Sequence, residues 1–196
     1  VFAEGGTEVW GGREISTNPS SLRPSVIGVL RLRSVLALLA AFVLSMIAIT
    51  TSPAQRWVLV LGAGSLAAVA LQTTWAHRAL PSSAPPAVML VQRLMMFGLV
   101  ILLVRHPDQA GTVTLLQGVT DIAAALLLLV LLVPRFRRVD AGRAPDLRAL
   151  AFDAAPLGAA RLLRNLPPTM ATVLLGYLLP IAEVGEFGAA LRIAVL

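Results

Sequence analysis

Residues 112–134 read TVTLLQGVTDIAAALLLLVLLVP, and the rest of the chain is interpreted around this stretch. At ~1.5 Å per residue the run is long enough to cross a ~30 Å hydrocarbon layer as a helix, and Pro134 and Arg135 close it. It holds one amide and one carboxylate, Gln117 and Asp121, four residues apart and so on one helical face. Upstream, the apolar run 86–104 carries a lone Arg93. An ionisable residue within a membrane span is costly, so by default it faces the protein interior, finds a partner and marks a pathway. Arg93, Asp121 and Gln117 are therefore the candidate substrate-binding or translocation residues.

Composition agrees with this reading. Of 196 residues, 57% are hydrophobic and 13% charged, against roughly 45–50% and about 25% in soluble domains. Mean hydropathy is +0.83. The expectation is an all-α, polytopic membrane helix bundle. Without cysteine, thiol catalysis and thiolate metal sites are excluded. The sixteen basic residues are all arginine and the net charge is +6. Arginines clustered beside apolar spans read as cytoplasmic anchors more simply than as a nucleic-acid surface.

Working outward, residues 1–24 are rich in Gly and Ser with breakers at Pro19 and Pro24, and predict a loop. Spans are expected at 34–52, 57–75, 86–104 and 112–134, making an N-terminal bundle over 1–134. Trp57 and Trp75 bracket the second span as interfacial rings, and Gly62, Gly64, Ala67 and Ala68 allow a neighbouring helix to come close. His77, Arg78 and the prolines after them predict a loop. Arginine is dense before the first span, sparse after it, present after the second, sparse after the third and dense after the fourth. That alternation places the N-terminal loop and the segment from Arg135 in the cytoplasm. Residues 135–164 read as a cytoplasmic linker with an amphipathic helix, broken at Pro156 and lying along the membrane surface. A second bundle then opens with a helix over 165–182, started by Pro167 and Pro168 and kinked at Pro180, and a truncated helix over 187–196. The apolar ending and the first residue Val1 read as those of an internal fragment.

Arg93 would lie ~10 Å from one face and Asp121 ~13 Å from the other, a depth difference of ~7 Å in a ~30 Å core that an arginine side chain bridges. Such a pair either pins two helices together or lines a pathway, and a cavity-lining arginine attracts an anionic group such as a phosphate. Gln72, Thr73 and Thr74 could line the mouth of that cavity, although hydroxyls bonding back to the helix are commoner. His77 and His106 stand alone, without a second metal ligand. No phosphate-cradling loop, nucleophile elbow or acidic metal motif is present, so no enzyme and no cofactor is expected.

The segment 174–193, LLGYLLPIAEVGEFGAALRI, resembles a stretch of the Wzx-like polysaccharide flippases, exporters of lipid-linked oligosaccharide. In that family a Leu-Leu-Gly helix end is followed by a short acidic turn and then a Val-Gly-x-Tyr/Phe-x-x-Ala-x-Arg run. Leu174, Leu175, Gly176, Glu183, Val184, Gly185, Phe187, Ala190 and Arg192 occupy those places. The resemblance implies a part of a two-bundle fold, from the end of the second family helix to the start of the eighth. It also implies alternating-access movement of an undecaprenyl-diphosphate-linked oligosaccharide across the inner (plasma) membrane. The implied partners are that anionic lipid-linked glycan and membrane lipids, with Arg93 as the cation meeting the diphosphate. Many members carry an aspartate about a turn before the Leu-Leu-Gly. Here Ala171 and Thr172 stand there, which leaves coupling to a proton or sodium ion open. Alternatives are a multidrug or small-molecule exporter of the same superfamily, a membrane-embedded glycosyl or phosphatidyl transferase, and a purely structural subunit.

Overall fold

The computed structural model describes residues 6–51, 53–78, 80, 83–106, 109–137 and 145–178. Among these there is no strand. The elements are α1 (Thr7–Thr17), a 3-10 turn (Pro19–Ser21), α2 (Leu22–Thr50), α3 (Pro53–Leu71), α4 (Thr74–Arg78), α5 (Ala84–Leu103), α6 (Ala110–Phe136) and α7 (Leu147–Leu178). Among the described residues four segments, falling on α2, α3 with α4, α5 and α6, are long and apolar enough to cross a membrane. The all-α expectation holds.

Residues 7–17 form a helix where a loop was expected. Thr7, Gly11 and Ile15 recur every fourth residue and are buried on one face of α1. Asn18 stops it in an extended conformation, as a residue before proline prefers. The first long helix then begins at Leu22, twelve residues earlier than the apolar run, and takes Arg31 and Arg33 into its body. Packing accounts for this. Leu22, Val26, Val29 and Leu32 lie on the inner face of α2 and meet Ile15, Trp75, Ala76, Leu132 and Leu150 in the main hydrophobic core. Further along α2, Leu38, Leu39, Phe42, Val43, Met46, Ile47 and Ile49 are exposed.

The second span also shifts. α3 starts at Pro53 and ends at Leu71. Beyond it the Gln72 carbonyl accepts a hydrogen bond from Arg33 Nη1 at 2.9 Å, so that oxygen serves a side chain and not a continuing helix. α4 follows, with Thr74, Trp75, Ala76 and His77 all buried. Trp75 is therefore a core residue and not an interfacial ring, and His77 and Arg78 are helical where a loop was expected.

α5 and α6 lie within a few residues of the expected spans, 86–104 and 112–134. Pro85 and Pro86 open α5 at positions where a missing N–H costs nothing. α6 continues two residues past Pro134. α7 is one helix through Pro156, Pro167 and Pro168, where a linker helix and a separate span were expected. Each proline removes one backbone donor, but its fixed φ is itself close to helical, so it need not end the helix. Residues 179–196 lie outside the described residues. These include the end of the expected 165–182 helix, the kink at Pro180, the truncated 187–196 helix and most of the segment that carries the family resemblance.

α3 packs between α2 and α6, and α5 packs on α6, so the long helices run 2–3–6–5 in space. Small residues set the closest approach. A methyl placed on Gly118 of α6 would meet the Ser65 backbone nitrogen of α3 at 3.7 Å, and one on Gly111 would meet Leu61 at 3.5 Å. Along α3 and on into α4, Leu61, Ser65 and His77 face Gly111, Gly118 and Leu128 in turn, so α3 and α6 run in the same direction. Of the four small residues singled out on α3, Ala68 is buried and Gly64 lies with its backbone against Gly118.

Candidate functional site

On α5, Pro85, Val88 and Gln92 are buried, a spacing of three and four that defines the face turned to α6. Arg93, one position on and about 100° round the helix, is exposed. On α6, Asp121 is half-buried and Gln117, one turn before it, is exposed. The Gln92 side-chain amide donates to Asp121 Oδ1 at 2.6 Å. Arg93 attracts the Asp121 carboxylate electrostatically, and Gln117 stands one turn before it on the same helix. The three residues expected from the sequence thus gather around one carboxylate, with Gln92 as the buried donor to it.

Gln92, Arg93 and Asp121 line a cavity of about 150 Å³ between α3, α5 and α6. Gln72 and Thr74, expected at a cavity mouth, lie on its wall, while Ala68, Val69, Met89, Ala124, Ala125 and Leu128 make the apolar remainder. Thr73 is buried but does not line it. A single carboxylate, a guanidinium and two amides in an apolar wall can bind an anionic group through arginine while the carboxylate fixes that arginine's position. Gln92 is the residue the sequence reasoning missed. Its signal was the spacing from Val88, which marks it as facing the neighbouring helix.

Two polar clusters lie toward the arginine-rich end. Arg33, 1% exposed, donates from Nε to Thr7 Oγ1 at 2.7 Å as well as to the Gln72 carbonyl. It is a buried clamp between α1, α2 and the end of α3, and not a solvated anchor. His77 is buried with Nε2 at 2.9 Å from the Leu128 carbonyl of α6, which fixes Nε2 as the protonated nitrogen for that bond. Beside them, Glu8 of α1 accepts from Arg78 of α4 and Arg161 of α7, each at 2.7 Å. Burial opposes ionisation of Glu8, but Arg161, Arg78 and Arg33 outweigh it and hold its pKa below the ordinary carboxylate value.

These ion pairs floor an open groove of about 780 Å³ between α1, α4 and α7. Val9, Gly12, Arg13 and Ser16 supply one wall, Leu157, Ala160, Arg161 and Arg164 the other, and Trp75 and Arg78 the base. Gly11 has the Trp75 ring where a Cβ would sit. Gly6 has a φ of 72° and lies against the α7 backbone at Ala154 and Gly158. Those two glycines let α1 lie close over α4 and α7.

Comparison of the chain with protein-family models, curated proteins and solved structures finds no match.

Proposed function

We propose that the chain is part of a multi-pass membrane transporter of the inner (plasma) membrane that moves an anionic, lipid-linked oligosaccharide across the bilayer. The observation that carries this reading is the polar cavity between α3, α5 and α6, where Arg93 and Asp121 stand in otherwise apolar helices. A charged group at that position is retained against a cost of at least ~2.5 kcal/mol per residue at the centre of a span, which a pathway for a charged substrate explains. Arg93 is the group that meets the anionic head, and Asp121, held by Gln92, positions that guanidinium. The resemblance in 174–193 to the Wzx-like flippases supports the substrate class. Export of small cations by a related mechanism draws on the Asp121 carboxylate alone, and Arg93 on the same wall weighs against it.

The test is surface polysaccharide in a strain lacking its own flippase and supplied with the complete reading frame. Restoration by the wild type, loss with Arg93→Ala at normal membrane abundance and partial loss with Asp121→Ala are expected. Full restoration by both variants removes the proposed role of the cavity.

A further inference from the structure

The groove between α1, α4 and α7 shares no charged residue with the cavity assigned to transport, and its chemistry is different. Four arginines, Arg13, Arg78, Arg161 and Arg164, face one open space of about 780 Å³, and among the described residues only Glu8 lines it with negative charge. Glu8 is engaged at both oxygens by Arg78 and Arg161. Arg13 and Arg164 are exposed on opposite walls, and their guanidinium groups make no hydrogen bond or ion pair within the described residues. Neighbouring guanidinium groups repel one another, so a groove holding this excess of positive charge is stabilised by an anion placed between its walls. The volume is far larger than a bare phosphate requires. Val9 and Leu157 are exposed apolar residues on the same two walls, so the lining suits an anion attached to an apolar body. Trp75, in the base, leaves its buried indole N–H without an acceptor within the described residues.

We infer that this groove is a binding site for the phosphate headgroup of an anionic phospholipid, with Arg13 and Arg164 gripping the phosphate from opposite walls above the Glu8-bridged pair. The site rests on the membrane placement proposed above and not on the transport activity. Its position fits a lipid of the leaflet at the arginine-rich end, because the groove adjoins Trp75, Leu132 and the start of α2, where the long apolar helices begin or end at that side. A lipid seated there would tie α1 to α7.

The test uses the full-length protein purified in a neutral detergent, with native mass spectrometry reading the affinity for phosphatidylglycerol against phosphatidylcholine. Phosphatidylglycerol is expected to bind preferentially, and the double variant Arg13→Gln/Arg164→Gln to weaken it about 25-fold, at about fivefold per arginine near an anionic lipid. The melting temperature should stay unchanged, since neither side chain holds a described contact. The control Arg105→Gln/Arg148→Gln removes the same charge outside the groove and should leave binding intact. An equal loss in the control, or no loss in the groove variant, overturns the site. Displacement by glycerol 3-phosphate at the same affinity as the lipid overturns the lipid as its occupant in favour of a soluble phosphate. Recovery of the protein in the soluble fraction overturns the membrane placement and the lipid with it, whereas lost lipid binding with intact polysaccharide restoration overturns the groove alone.

Discussion

At the scale of single residues, Asp121 and Glu8 show how differently one carboxylate can be held. Asp121 depends on an amide donor and a neighbouring arginine, so Gln92→Leu should remove its buried hydrogen bond and lower stability by about 1–3 kcal/mol. Gln92→Glu should do the same or worse, by setting a second carboxylate against the first. Thermal melts in detergent, read beside polysaccharide output, check both. Glu8 is held by guanidinium groups, and the sign of its pH dependence follows. Its pKa in the folded chain lies below the unfolded value of 4.5, so its contribution is complete above 4.5 and disappears as the pH falls below that through the folded value. The wild type should therefore melt higher than Glu8→Gln at pH 7, and the two should converge as the pH is lowered below 4.5. A gap that persists at acid pH would show that Glu8 acts through packing. Arg93 and Asp121 were legible in the sequence because charge in an apolar run needs no structure to be noticed, and Gln117 because it stands one turn before that carboxylate. Gln92 was not, because an uncharged amide beside an arginine draws less notice than its neighbour. Arg33 was misread, since arginine before an apolar run resembles an anchor until a hydroxyl and a carbonyl are found to surround it.

At the scale of elements, the third and fourth expected spans lie close to α5 and α6 because their limits coincide with prolines, arginines and the ends of apolar runs. The first helix and the limits of α2 and α3 were set by tertiary contacts that periodicity alone does not reveal. α1 is only weakly apolar and is stabilised by one face, Thr7, Gly11 and Ile15, laid on other helices. That makes Gly11 the point at which the element can be dislodged. Gly11→Val should force α1 away from the Trp75 ring at a cost of about 1–3 kcal/mol. Faster proteolysis within residues 7–17 and a change in tryptophan emission are the expected readouts. Gly12→Ala is the control, since a Cβ there meets nothing within 4 Å. Likewise Thr7→Val should loosen α1 by removing the 2.7 Å acceptor from Arg33 Nε, with a smaller rise in proteolysis.

At the scale of the whole molecule, the arrangement 2–3–6–5 was not legible, because sequence order gives hairpins but not which hairpin members meet. The pairing follows from Gly64, Ser65 and Gly118, residues that are small enough for α3 and α6 to touch along their length. The chain has no cysteine, so single cysteines map its sides without background. Ser16→Cys and Arg137→Cys should react with a membrane-impermeant maleimide only in inverted vesicles, and His106→Cys only in intact spheroplasts. Labelling of all three from one side would break the proposed crossing pattern. The shared direction of α3 and α6 has an electrical consequence. Helix dipoles in antiparallel neighbours cancel, but in a parallel pair they add, so partial negative charge of about half an electron per helix collects where α3 and α6 end. The Arg33 guanidinium sits on the Gln72 carbonyl just beyond α3, and Arg135 lies in the last turn of α6. The arginines that give this end of the molecule its charge thus also cap the two aligned dipoles, while at the opposite end α2 finishes beside the start of α3 and Arg56 donates from Nε to its Ala48 carbonyl at 3.0 Å.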